Sequence, residues 1–115
     1  MYNLKNRVQL IGRLGKDPIV NQVSNGSNVA RFTLATNDSY KDNDGNKVED
    51  VQWHNIVVWG RKADIVKQYL TKGNEIAVEG KLSHRSWEDK EGNMRYISEV
   101  VVKELLMLSR PSQGK

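Results

Sequence analysis

The sequence predicts an all-β domain, a five-stranded barrel with one short helix between strands 3 and 4. Three observations predict it. Apolar residues recur with a period of two along most of the chain. Turn signals at Asn25-Gly26, Asp44-Gly45 and Asp89-Lys90-Glu91-Gly92-Asn93 separate the runs. The period turns helical only over Arg61–Leu70. A length of 115 residues with 37% hydrophobic content is the size of one domain with a small core. The expected division is a binding domain over 1–108 and a short polar tail over 109–115.

In the first strand, Val8, Leu10 and Gly12 alternate with Arg7, Gln9, Ile11 and Arg13, one apolar and one mixed face. Asn25-Gly26 is a strong hairpin signal and leads from a short segment, Ile19–Val23, into a second strand, Val29–Thr36, with Ala30, Phe32 and Leu34 on one side. Residues 37–50 are polar and read as a long hairpin loop before a third strand, Val51–Trp59. The helix carries Ile65 with Tyr69 and Val66 with Leu70 at four-residue spacing, an apolar stripe. Asp64 and Lys72 suit the helix dipole at either end, and Gly73 supplies a left-handed stop. Two last strands, Glu75–Trp87 and Met94–Lys103, complete the order. A lone helix after the third strand is the order of the five-stranded OB barrel, which binds oligonucleotides or oligosaccharides on the face of strands 2 and 3. Fold alone does not assign function.

Composition excludes several classes. Without cysteine there is no disulfide or cysteine-based zinc site, and His54 and His84 match no metal-ligand spacing. No stretch approaches ~18 consecutive apolar residues and no signal peptide opens the chain, so a cytoplasmic protein with no membrane partner is expected. The formal net charge of +4 is modest, but the charges segregate. Lys5, Arg7, Arg13 and Lys16 stand in an acid-free first segment, whereas Asp38, Asp42, Asp44, Glu49 and Asp50 crowd the middle. Such a chain can offer one positive face to a polyanion.

The 3 tryptophans carry the functional signal. Trp53 and Trp59 share a parity on the third strand with Asn55 and Val57, while His54, Ile56 and Val58 take the other, better core-forming side. Trp87 stands beside a turn with no apolar neighbour, and Arg85 shares its parity, which sets a guanidinium beside an indole. Tyr40 stands alone among Asp38, Ser39 and Lys41. Rings exposed among cations form a stacking platform for single-stranded nucleic acid, at ~1–3 kcal/mol per base, while Arg and Lys follow the phosphates. Arg7, Arg61, Lys72 and Arg85 are the candidate phosphate contacts because they flank the aromatic positions.

Competing motifs fail. The acidic loop aligns with a calcium loop at Asp42, Asp44 and Gly45, but Tyr40 and Val51 occupy its first and last places, where carboxylates are needed. Gly12-Arg13-Leu14-Gly15 matches the GxxG clamp of KH domains without its helical setting, and reads instead as a barrel bend. No serine or threonine has a histidine base in sequence context, and there is no phosphate loop. A non-enzyme without cofactor is expected.

The chain resembles the bacterial single-stranded DNA-binding proteins from Asn6 to about Leu108. The resemblance runs through Asn6-Arg7-Val8, Gly12 to Pro18, Thr33-Leu34-Ala35-Thr36, Glu79-Gly80-Lys81-Leu82, Arg95-Tyr96 and, most specifically, Trp53-His54-Asn55-Ile56-Val57-Val58-Trp59-Gly60. It implies an OB-fold homotetramer that wraps single-stranded DNA with little sequence preference in replication, recombination and repair, at the nucleoid. It also implies that Trp53, Trp59 and Trp87 stack bases, and that Tyr40 stands where a tryptophan is common. Arg7, Arg61, Lys72 and Arg85 match basic positions lining the DNA path, and His54 matches a subunit-interface histidine. Members of that family usually continue into a flexible segment with an acidic, Phe-tipped end that recruits replication and repair proteins. This sequence ends at Pro111-Ser112-Gln113-Gly114-Lys115, so the expectation is of DNA binding without that recruiting tail. The nearest alternative is an RNA-binding or primosome-type OB protein.

Overall fold

The computed structural model describes residues 5–23 and 25–108, so the expected tail over 109–115 lies outside the described residues. Its elements are β1 (Val8–Leu14), β2 (Ile19–Gln22), β3 (Asn28–Lys41), β4 (Lys47–Trp59), α1 (Arg61–Tyr69), β5 (Glu75–Glu88) and β6 (Met94–Met107). Five of the strands close a ring in the order β1-β5-β6-β4-β3 and back to β1, while β2 adds to the free edge of β3. The five-stranded barrel is therefore present. The helix, however, falls between the fourth and fifth strands of the chain, because Ile19–Gln22 pairs with β3 from Ile19↔Arg31 to Gln22↔Asn28. Their hairpin turn is the one expected at Asn25-Gly26, with Gly26 at φ +90°.

Closure depends on two seams. β1 runs antiparallel to β5 from Val8↔Gly80 to Arg13↔Glu75, then turns onto β3 at Arg13↔Ala35 and Leu14↔Leu34. At the bend a Cβ on Gly12 would lie 2.1 Å from the Ala35 carbonyl oxygen, so only glycine lets the strands approach so closely. The second seam is parallel, Asn55↔Glu99 to Val57↔Val101, and joins β4 to β6. Inside the ring, alternate residues Ala30, Phe32, Leu34, Ile56, Val58, Ile76, Val78, Val100 and Val102 form the core.

The helix packs Ala63 and Val66 into the core, and Leu70, just after its last turn, joins them. Ile65 and Tyr69, expected in its apolar stripe, are instead exposed, because the buried positions follow a three-then-four spacing from Ala63. Gly73 is not the helix stop. Leu70 itself turns extended to enter the core, and Gly73 takes its left-handed conformation in the following turn, where its N–H donates to the Leu14 carbonyl at 2.9 Å.

The largest departure from the sequence reading concerns residues 37–50. The β3–β4 ladder continues without interruption from Val29↔Trp59 to Lys41↔Lys47, so the expected loop is a two-stranded ribbon. Only a tight turn remains, with Asp42 accepting from the Asp44 and Asn46 amides. Polar residues form strand here because both faces of a projecting ribbon meet water, and period-two apolarity has nothing to report. β6 likewise runs on to Met107, past the expected end at Lys103.

Candidate nucleic-acid interface

Strands β5, β6, β4 and β3 are neighbours in the ring, so their outward residues share one continuous surface. Across it the register sets Thr33 beside Asn55, Asn55 beside Glu99 and Glu99 beside Ser83, with Arg85 next to Ile97 and Trp87 next to Arg95. A groove of about 240 Å³ runs over its middle, floored by Asn55, Val57, Ile97 and Glu99 and edged by Arg31 and Lys16. Trp53 and Trp59 stand on this surface from β4 and Trp87 from β5, exposed by 61%, 48% and 43%. Indoles left that far in water, on strands whose other side fills the core, are available to a partner. Val57 shares their parity but is buried in the groove floor, where the neighbouring strands cover a short side chain.

Local contacts place each ring. Trp53 leans across β3 so that a Cβ on Gly15 would lie 2.4 Å from its Cζ3. The second glycine of the Gly12–Gly15 pair thus makes room for an indole, a role a bend assignment misses. Trp59 ends β4, next to Gly60 at φ +72° and to Arg61, the first residue of α1. Trp87 has the Arg85 guanidinium 5.5 Å from its ring centroid, as their shared parity predicts. Tyr40 is 56% exposed but sits within β3, opposite Val48, on the pleat side of Thr36 and His54 rather than that of Trp53.

The basic residues divide. Arg61 and Lys72 are exposed, and the Lys72 amide donates to Asp17 at 2.8 Å, which ties that turn to the groove's rim. Arg7, just before β1, is half-buried and ion-paired with Glu79 of β5. Arg85 is bound by Glu99, with its Nε donating at 2.6 Å, and that hydrogen bond raises the guanidinium's pKa further above its ordinary value. At the far end of the β5–β6 hairpin, Asp89 accepts from the Asn93, Glu91 and Arg95 N–H groups. The Asn93 amide leads in holding its carboxyl below the usual range. His54 is half-buried off the aromatic face, its Nε2 3.0 Å from the Thr36 hydroxyl.

Residues 5–108 match the single-strand binding protein family. The chain belongs to that family. Among its relatives, "Single-stranded DNA-binding protein 1" of Chlorobaculum tepidum is 46% identical over 110 residues, covering 95% of this chain and 68% of that protein. A protein of the same name from Xylella fastidiosa is 46% identical over 106 residues, covering 91% of this chain and 78% of its own length. A solved structure of the Plasmodium falciparum SSB complex with ssDNA superposes with a TM-score of 0.84 at 31% identity, covering 95% of this chain and 99% of that one.

Two residues of this outer face escape the sequence reading. Arg31 lies at the groove's edge and Glu99 in its floor, and they meet at 3.2 Å between Nη1 and Oε2. Arg31 was within reach of parity, since Ala30 and Phe32 point inward on either side of it. Glu99 was not, because nothing in Ser98-Glu99-Val100-Val101 marks an outward charge that its neighbours bury.

Proposed function

We propose that this chain binds and protects single-stranded DNA with little sequence preference, serving replication, recombination and repair as a non-catalytic cytoplasmic protein. The observation that carries this reading is the shared outward face of β5, β6, β4 and β3, on which Trp87, Trp53 and Trp59 stand exposed around a groove edged by arginine. Every base has a face that can stack on an indole, so rings spaced along a groove hold a strand whatever its sequence. Arg85 lies against Trp87, Arg61 follows Trp59 by two residues and Lys72 neighbours Asp17 at the groove's rim, so these three are the candidates to meet the phosphates. Arg7, offset by Glu79, is the weakest candidate in this set.

Titration with poly(dT) should quench tryptophan emission strongly, because the proposed stacking rings are all of the chain's indoles. Duplex DNA should compete poorly, since its bases are already stacked. Affinity should fall with salt with a log–log slope of about −0.7 per phosphate neutralised, and Lys72→Ala or Arg61→Ala should each make it shallower. An affinity indifferent to salt would sink the electrostatic part of the reading. Preference for poly(U) over poly(dT) at equal salt would favour the RNA-binding alternative, and cleavage of DNA with added magnesium or calcium would remove the non-catalytic one.

We further read the assembly as a homotetramer. β1 pairs with β5 along its length but with β3 only at Arg13 and Leu14, so the other edge of Val8–Gly12 has no ladder partner among the described residues. An open edge of that kind suits pairing with a second copy. On the same side of the barrel the exposed Ile11 and Leu106 flank Ala77 in one row, an apolar band that a further pair of subunits could cover. Moderate contacts on linked barrels would then multiply into tight binding of long DNA. Replacing His54 by glutamate should split the assembly and weaken binding to long DNA far more than to a short oligonucleotide. A wild-type monomer at micromolar concentration in sedimentation, with full affinity for long DNA, would defeat this model.

A further inference from the structure

The proposed DNA face holds a carboxylate at its centre, which is where a polyanion should least tolerate one. Glu99 projects outward from β6 between Ile97 and Val101, yet its side chain is only 5% exposed. Two guanidinium groups cover it from opposite sides. Arg85 of β5 donates through Nε to Oε1 at 2.6 Å and more weakly through Nη2 to Oε2 at 3.5 Å. Arg31 of β3 donates through Nη1 to Oε2 at 3.2 Å. Glu99 thus takes the Nε–Nη2 edge of Arg85 and Nη1 of Arg31, which leaves Arg85 Nη1 and Arg31 Nε and Nη2 without a hydrogen bond among the described residues. Both arginines remain substantially exposed, at 45% and 40% of their side chains. The triad as a whole bears one positive charge.

We infer that Glu99 is a positioning residue for single-strand binding, anchoring Arg31 and Arg85 so that their outer donor edges face the strand in a fixed geometry. The inference rests on reading this face as the DNA site. Entropy and direction act together here. A free arginine loses rotamer freedom each time it clamps a phosphate, whereas one held at its inner edge has lost it on folding. A planar fork, unlike an ammonium, can satisfy a buried carboxylate with one edge and a phosphate with another. Arg85 also lies against Trp87, so its anchorage helps fix the stacking ring. The alternative role for Glu99, a negative charge that merely weakens binding, makes the opposite prediction.

The test uses Glu99→Gln and Arg85→Lys, each titrated with a short oligo(dT) at several salt concentrations and checked by thermal melting. Glutamine keeps the size and one acceptor but turns an N–H₂ group toward a guanidinium donor. Despite the added net positive charge, Glu99→Gln should raise Kd about tenfold, as the removal of one charge-assisted hydrogen bond does. Its salt slope should become shallower by about 0.7 for each phosphate that is no longer neutralised. Arg85→Lys keeps the charge but lacks the fork, and should show a similar weakening, with little added by Glu99→Gln in the same chain. Equal or tighter binding by Glu99→Gln, with an unchanged or steeper slope, would overturn the inference. If that variant does not fold, Arg85→Lys decides, and wild-type affinity there overturns it equally. A wild-type protein that fails to bind oligo(dT) at all would sink the DNA-binding reading and this inference with it. Wild-type binding with indifferent variants would sink this inference alone.

Discussion

Replacing Trp53 and Trp87 together by alanine should weaken poly(dT) binding by about 2–6 kcal/mol, since each base stacked on a ring is worth ~1–3 kcal/mol. The two rings stand on different strands, β4 and β5, with β6 between them, so their effects should add. The fold should survive, because both indoles are exposed and neither belongs to the core. Trp59→Ala should behave as a single loss of ~1–3 kcal/mol. Tyr40→Ala should cost less than any of them, under about 1 kcal/mol, because its ring is smaller and leaves the ribbon on the other pleat side. Fluorescence anisotropy with labelled oligo(dT), paired with thermal melts, measures both quantities. If the tryptophan variants melt early and bind normally per folded molecule, the rings are packing residues and the face is misassigned.

Gly12→Ala should destabilise the barrel by about 3 kcal/mol or more, beyond the usual range for overpacking. The new methyl would sit 2.1 Å from the Ala35 carbonyl oxygen and 2.9 Å from its carbon, and both are backbone atoms of the seam that closes the ring. Neither can swing aside, so β1 must lift from β3. For a domain of this size a loss on that scale lowers Tm by roughly 10 °C or more. Gly15→Ala is the instructive contrast. Its methyl meets the Trp53 ring at 2.4 Å, the far end of a side chain that can rotate. That variant should stay folded and lose binding, because the indole is displaced rather than the backbone. Equal melting of Gly12→Ala and the wild type would show that the seam is not what closes the barrel.

Much of the protein is legible in local patterns of the sequence. Alternation along Val29–Thr36 and Val51–Trp59 sets Phe32, Leu34, Ile56 and Val58 inward, and the core holds all four. The same parity sets Trp53 and Trp59 outward, and both are exposed. Asn25-Gly26 makes the turn its composition requires, because a left-handed residue is needed there and glycine adopts it freely. Where the pattern falls silent the expectation fails. Residues 37–41 and 47–50 form a ribbon wetted on both faces, so no apolar alternation could announce it. Ile65 and Tyr69 have helical spacing, but which stripe of a short helix meets the barrel depends on how the helix lands.

By itself, then, the sequence determined the apolar strand segments, their inward and outward sides and the exposed indoles, because each depends on neighbours two to four residues away. Only the tertiary structure decided that Ile19–Gln22 is a strand, that Gly15 makes room for Trp53, and that Arg31, Arg85 and Glu99 meet. Arg31 and Glu99 stand 68 residues apart in the chain and come together through the parallel seam between β4 and β6. A register between distant strands is chosen by the best simultaneous burial of Val100, Val102, Ile56 and Val58. No local period encodes that choice, and the buried carboxylate is carried to its partners by it.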